Sequence, residues 1–444
     1  MPRIINSTEE LKRFSGDPVG QIALREDLTT VPREILEYAP HVRILDLSGN
    51  ALSELPEWFA QLPQLEVIFL SRNRFSHVPE VLGQLASLRM IGMRDNQIES
   101  ISPKSIPAHL EWLTLTSNFI ADIPPELGRA PRLRKLLLAG NRLTCLPDSF
   151  SGSRSLELVR LSANRFESFP PWLFRLPSLA WVALAGNPCT QRALPGSGGV
   201  RTVSWSDLTI GKELGRGASG QTFRAILRNP QGQEESVAVK VFSTQVSSDG
   251  DGRDEIAAAV AAARHPNLVS TQAVLRDHPL GCAGLVLDLI PEGFSNLAKP
   301  PSFESCTRDV YPHPLSLEIE RIREYAVGIA QAAQHLHSCG IIHGDLYAHN
   351  VLVSRNHALV SDFGAACIYR DSRALNSAML ERIEVCAYGI LLHELLSCVV
   401  ARSEPLATAR VSALRDVASR CCFPRVEARP SFGALLQSLD PHIV

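Results

Sequence analysis

The 444-residue chain has no long apolar run. No stretch of 18 uncharged apolar residues occurs, and runs such as Ile256 to Ala263 are too short to cross a bilayer. The first ten residues, Met1 to Glu10, lack the apolar core of a secretory signal. No membrane span is expected, both halves should share one compartment, and the cytoplasm is the expected one. Charge of one sign is not in excess either. The 44 Lys and Arg against 46 Asp and Glu leave a net charge of −2, which draws the chain to neither nucleic acid nor an anionic membrane. The ten cysteines form no CxxC pair, so they are read as reduced, mostly buried thiols rather than a disulfide or zinc framework. The adjacent Cys421 and Cys422 suit a helix end better than a metal site. Disorder is excluded as well, because 45% of the residues are hydrophobic and only 20% charged. At roughly 150 residues per domain, the length implies two or three domains.

What is present first is a repeat. Asparagine recurs at Asn50, Asn73, Asn96, Asn118, Asn141, Asn164 and Asn187, at intervals of 23, 23, 22, 23, 23 and 23 residues. Around Asn50 the frame is Val42-x-x-Leu45-x-Leu47-x-x-Asn50-x-Leu52-x-x-Leu55-Pro56, and around Asn141 it is Leu133-x-x-Leu136-x-Leu138-x-x-Asn141-x-Leu143-x-x-Leu146-Pro147. This frame resembles the leucine-rich repeat. One short strand per repeat points its leucines into a shared core, and the asparagine can bond the backbone of the turn that follows. The Leu-Pro step opens the return segment on the convex side. No single repeat buries its own apolar face, so neighbours must stack. Residues 1–41 hold a weaker copy, Leu24…Leu28-x-x-Val31-Pro32, read as a cap to a solenoid over 42–190. Strand alternation puts Ile44, Val67, Met90, Trp112, Lys135, Leu158 and Trp181 in one column on the concave face. That column is expected to be partly exposed. It is either a self-covering sheet surface or a docking groove for a protein substrate or regulator, and the groove is preferred because contiguous exposed apolar surface tends to mark binding.

The frame stops at Asn187-Pro188. Residues 191–204, with Pro195-Gly196-Ser197-Gly198-Gly199, read as a connector. Beyond it, Leu214-Gly215-Arg216-Gly217-Ala218-Ser219-Gly220-Gln221-Thr222-Phe223 contains GxGxxG. A dinucleotide fold would need a helix to start here. The strand-like Phe223 to Leu227 follows instead, as in a phosphate flap between two strands. Val237-Ala238-Val239-Lys240 comes next, then an Ala-rich segment with Asp254 and Glu255, an apolar strand Leu285 to Ile290, Ile342-His343-Gly344-Asp345-Leu346-Tyr347-Ala348-His349-Asn350, and Asp362-Phe363-Gly364.

Taken together, these motifs resemble a protein kinase over about residues 205–440, and the whole chain resembles a cytosolic, bacterial-type leucine-rich-repeat kinase. The fold class expected is α/β: a solenoid followed by a two-lobed α+β kinase-like domain over 205–444. The resemblance implies ATP and Mg²⁺ as cofactors. Leu214, Gly215, Gly217, Gly220 and Thr222 would cover the nucleotide, with Lys240 on the phosphates. Glu255, or Asp254 as the alternative, would pair with Lys240. Backbone groups of the strand at Asp288 and Ile290 would meet the adenine edge. Asp345 would accept the substrate proton, and Asn350 and Asp362 would hold Mg²⁺. A helix resembling the buried one of the large lobe covers Glu384 to Leu396, and Arg429-Pro430-Ser431-Phe432 resembles the end of the kinase core.

Four positions depart from the family. Gly344 replaces the arginine of HRD, which argues against control by phosphorylation of the activation loop. Tyr347 and His349 stand where serine/threonine and tyrosine kinases carry their Lys or Arg. Only 22 positions separate Asp362 from Glu384, with no APE between them, and Glu384 replaces an aspartate. The leading expectation is phosphorylation of Ser or Thr on a protein recruited by the repeats, with Ser/Thr preferred to Tyr on base rates. Kept beside it are a kinase for a small hydroxyl compound, like the antibiotic phosphotransferases, and a pseudokinase scaffold.

Overall fold

A computed structural model describes residues 4–13, 19–190, 201–217, 219–229, 231–243, 246–312, 315–370, 372, 375–399 and 405–440. The chain divides into two compact units, Met1–Arg160 with Asn164–Phe166, and Leu161–Ala163 with Glu167–Val444.

In the first unit, strands Ile4–Ile5, Gln21–Ala23, Ile44–Asp46, Val67–Phe69, Met90–Gly92, Trp112–Thr114, Lys135–Leu137 and Leu158–Arg160 lie side by side in chain order, all parallel. The repeat period dictates this ladder: Ile44 faces Val67, Val67 faces Met90, and Met90 faces Trp112. The sheet begins at Ile4, ahead of the first full repeat. Leucines at the strand positions, such as Leu45, Leu47, Leu113 and Leu115, are buried in the shared core. Proline fixes its own φ and offers no N–H, so it suits the start of a turn. Pro32, Pro56, Pro79 and Pro147 each precede a short 3-10 turn on the return side.

The asparagines bond more than their own turns. Asn118 Nδ2 donates to Leu115 O in its own repeat at 3.0 Å and to Met93 O in the preceding one at 3.0 Å, while Oδ1 accepts from Ile98 N at 3.0 Å. Asn73 repeats the pattern with Leu70 O, Leu47 O and Leu52 N. Each buried amide therefore staples two repeats together.

The concave column differs from expectation. Val67, Met90, Leu158 and Trp181 are buried, and Ile44, Trp112 and Lys135 are half-buried. In the first unit the side chains partly cover one another: Lys135 Nζ lies 3.7 Å from the Trp112 ring centroid, and Trp112 Nε1 donates to Thr114 Oγ1. An open apolar groove along this column is therefore not what these residues form.

The second unit contains the last repeat. Of the connector expected over 191–204, residues 191–200 lie outside the described residues, and Thr202–Ser204 form a strand. That strand pairs in parallel with Thr271–Arg276 at the edge of a sheet ordered Thr202–Ser204, Thr271–Arg276, Gly284–Asp288, Glu234–Phe242, Gly220–Arg228, Leu208–Arg216. Val203, Leu227, Val237, Val239 and Val286 form its core. Helix Gly252–Ala261 is capped by Asp251, whose carboxylate accepts from Arg253 N. The larger lobe is helical, built on Ile319–Ser338, Ser377–Ser397, Pro405–Cys421 and Phe432–Ser438. Cys421 ends its helix, as anticipated. The helix expected from Glu384 starts earlier, at Ser377, where Asn376 accepts from Met379 N. Among the described residues no helix is long and apolar enough to cross a membrane.

Replacing Asn118 by Ala should leave Ile98 N without its acceptor, at about 1–3 kcal/mol for a buried bond left unmade, and should take one of two amide donors from Met93 O and from Leu115 O. A clear fall in the urea midpoint of the repeat unit is expected, and an unchanged midpoint would refute the stapling role.

Candidate active site

Register places the first cation. Thr222 faces Lys240 across the antiparallel pair that follows the glycine turn, and Gly217 N donates to Gly220 O at 2.9 Å to close that turn. A strand follows the glycines, so the loop is a hairpin flap. Gly220 has no room for a side chain, since a Cβ there would lie 2.1 Å from Val241 O.

Lys240 points into a cleft of about 490 Å³ whose lining includes Leu214, Gly215, Thr222, Glu255, Asp288, Ile290 and Asp362. Its Nζ lies 2.5 Å from Glu255 Oε1 and 3.4 Å from Asp362 Oδ1. The pairing falls on Glu255, while Asp254 turns toward the last repeat: a Cβ at Gly186 would lie 2.8 Å from Asp254 Oδ2. Burial works against the Lys240 ammonium, but the charges of Asp362 and Glu255 outweigh it and hold its pKa above the usual value. Burial, only partly offset by Lys240, pushes Glu255 up to about 7.

Asp345 and Asn350 are absent from the lining of that cleft but are tied to its wall. Asn350 Nδ2 donates to Asp345 Oδ2 at 2.8 Å and to Asp345 O at 3.0 Å. Asn350 O accepts from Ser361 N and Oγ, both at 2.9 Å, and Ser361 precedes Asp362. His343 Nε2 meets Ser361 O at 3.0 Å and anchors the same junction from the other side. Asp362 holds a left-handed φ of 62° and accepts from Gly364 N, which aims its half-exposed carboxylate at Lys240. With the Asn350 side-chain nitrogen spent on Asp345, the side-chain oxygen Oδ1 of Asn350 and the Asp362 carboxylate make a pair of hard oxygen donors. Such a pair fits Mg²⁺ that keeps several other ligands. Among the described residues no cluster of three or more His, Cys, Asp or Glu could hold a metal.

Residues 208–387 match the model for the protein tyrosine and serine/threonine kinase, and residues 25–75, 40–98 and 108–166 match that for the leucine-rich repeat. The chain thus carries leucine-rich repeats followed by a protein-kinase domain. Its relatives include the serine/threonine/tyrosine-protein kinase HT1 of Arabidopsis thaliana, 25% identical over 54% of this chain and 68% of the relative. The tyrosine-protein kinase receptor TYRO3 of Gallus gallus is 24% identical over 54% of this chain and 32% of its own length. The serine/threonine-protein kinase AfsK of Streptomyces griseus is 32% identical over 34% of this chain and 18% of its own. The chain spans about two thirds of the first and less than a third of the other two.

Several contacts of the kinase domain had no sequence signal. His349 Nδ1 lies 2.7 Å from Asp309 Oδ1, and His349 N donates to Asp309 Oδ2. Burial opposes the imidazolium, but the bond to Asp309 and the charge of Asp345 raise its pKa. Tyr311 OH donates to Glu394 Oε2 at 3.0 Å, and burial together with Asp309 pushes Glu394 up to about 7. These partners lie 40 and 83 positions apart along the chain. Glu384, fully buried in its helix, accepts from Gly344 N at 2.7 Å and meets His337 Nε2 at 2.8 Å. Burial raises its pKa, yet His337, His343 and Gly344 together bring it below the usual value.

A depressed carboxyl stabilises the fold above its ordinary pKa, and that stability is lost as pH falls through the folded value. Glu384→Gln should melt lower than wild type at pH 7. Below pH 4.5, the ordinary glutamate value, the gap should narrow. A constant gap from pH 7 to acid would contradict the assignment.

Proposed function

We propose that this kinase domain transfers the γ-phosphate of ATP to a serine or threonine of a protein that the repeats bring to it. One observation carries the reading: Lys240, Glu255 and Asp362 meet in one cleft, and the Asp345–Asn350 pair is fastened to its wall through Ser361. In this reading Leu214, Gly215 and Thr222 cover the nucleotide, and the Asp288 and Ile290 backbone meets the adenine. Glu255 holds Lys240 toward the phosphates. Asn350 and Asp362 would hold Mg²⁺, which when bound neutralises charge on the phosphates. Asn350 orients the Asp345 carboxylate, which accepts the proton of the attacking hydroxyl. Tethering by the repeats would raise the local concentration of the acceptor protein at the cleft. Because the concave column is largely covered, we look for recruitment on other faces of the solenoid as well. The cytoplasm, where ATP is at hand, is the compartment this reading calls for.

Serine/threonine kinases among the relatives favour Ser/Thr over Tyr. One feature favours a smaller acceptor. The helix after the DFG step starts at Ser377, 15 positions beyond Asp362, which leaves little chain for a peptide ledge.

Purified protein with Mg²⁺ and γ-labelled ATP should phosphorylate itself or a generic basic protein on serine or threonine. Asp345→Ala should lower the rate about 10²–10⁴-fold while the melting shift with Mg²⁺-ATP persists. Unchanged activity in that variant removes Asp345 as the base. Turnover only with a small hydroxyl compound would replace the protein acceptor, and no melting shift at all would favour a scaffold.

A further inference from the structure

Residues 167–190, the last repeat, fold into the same unit as the kinase domain. Their strand Trp181–Ala183 lies against the loop that carries Asp345. Val182 N donates to Gly344 O at 3.1 Å, and Trp181 Nε1 donates to Leu346 O at 3.3 Å. The Trp181 and Tyr347 rings stack with centroids 4.1 Å apart and planes within 5°. Trp181 is 1% exposed and Tyr347 4%, so the stack is shut off from water.

The neighbouring sequence fits this contact and no other side chain at Gly344. Its φ is +75°, and a Cβ would lie 2.2 Å from Val182 O and 2.8 Å from Ala365 O. An arginine at this position is sterically impossible while the repeat strand is in place. Arg429, 1% exposed, donates from Nη2 to Pro177 O at 2.6 Å and from Nη1 to Leu179 O, which fastens the same repeat to the large lobe. Ser372 Oγ donates to Cys189 O at 2.9 Å. A Cβ at Gly250 would lie 3.2 Å from Ser162 Cβ, and Gly186 adjoins Asp254 on the helix that bears Glu255.

We propose that the last leucine-rich repeat is a working part of the kinase unit and that Trp181 is a positioning residue for the loop carrying Asp345. The inference rests on the kinase reading above. The indole packs on Tyr347 and bonds Leu346, and it leaves the Asp345 carboxylate to Asn350. Its contacts thus fall on the loop itself, at Leu346 and Tyr347. The backbone of Val182 and the ring of Trp181 hold the loop from the side at which Gly344 has no side chain. Displacement of a catalytic group by about 1 Å costs on the order of a hundredfold in rate.

The test uses the full chain with Trp181→Ala and Trp181→Phe, and Trp58→Ala, in the 3-10 turn Glu57–Gln61, as a tryptophan loss in the first unit. Phosphate transfer to a generic basic protein gives kcat and the KM for ATP, and hydrogen exchange follows the peptide over 341–353. Trp181→Ala should lower kcat about tenfold to a hundredfold with KM for ATP little changed, and should speed exchange in that peptide. Trp181→Phe keeps a ring over Tyr347 and should recover most of the rate, and Trp58→Ala should match wild type. An unchanged or raised kcat in Trp181→Ala overturns the proposal, the rise because it would mean that the indole blocks the acceptor. If wild type transfers no phosphate, the kinase reading fails, and exchange alone decides the bracing role: unchanged protection in Trp181→Ala overturns it. Should the Ala variant not fold, Trp181→Leu fills the space without a stack and is held to the same outcomes.

Discussion

The site depends on a buried ammonium that cannot stand alone. Lys240 is drawn out of water in the cleft, and an unpaired charge there would be costly. It is tolerable only with Glu255 at 2.5 Å and Asp362 at 3.4 Å, from a helix and a loop that are far apart in sequence. This constraint fixes the position of the Gly252–Ala261 helix against the sheet and the left-handed turn at Asp362. Through Ser361 and Asn350 it extends to the Asp345 carboxylate. Strand register, the Asp251 cap and the glycine hairpin all serve to bring these groups together.

The periodic parts of the fold were legible in the sequence. Seven asparagines in register specify the ladder, because each amide bonds the repeat before it. Glycine flap, Lys240, the Asp345 loop and DFG were legible for a related reason: each is a local pattern whose backbone needs are written in neighbouring residues. The choice of Glu255 over Asp254 was narrowed to two by helix position and is resolved by which carboxylate meets Lys240. Contacts between distant segments were not legible. Nothing near His349 announces Asp309, and nothing near Tyr347 announces Trp181, whose indole bonds a carbonyl 165 positions away. The cover on the concave column was only partly legible, since alternation says which face a side chain is on but not what covers it.

The departures from the kinase pattern make physical sense once the last repeat is included. Glycine suits position 344 because its φ is +75° and Val182 O of the last repeat and Ala365 O both lie where a Cβ would go. Tyr347 is an aromatic platform for Trp181. Arg429 divides its donors between the repeat carbonyls of Pro177 and Leu179 and the carbonyls of Phe423 and Arg382, and Glu384 accepts the amide of Gly344. Residues that look like losses in the kinase motif are thus complementary to a neighbouring element of the same chain. The final repeat belongs to the same compact unit as the kinase domain.

A crystal structure with Mg²⁺ and a non-hydrolysable ATP analogue tests the central claim most directly. The nucleotide should lie in the cleft, with Lys240 on its phosphates and Glu255 still paired, and a metal should be held by the Asn350 side-chain oxygen and the Asp362 carboxylate. A nucleotide bound elsewhere, or a metal that leaves Asn350 and Asp362 untouched, would contradict it.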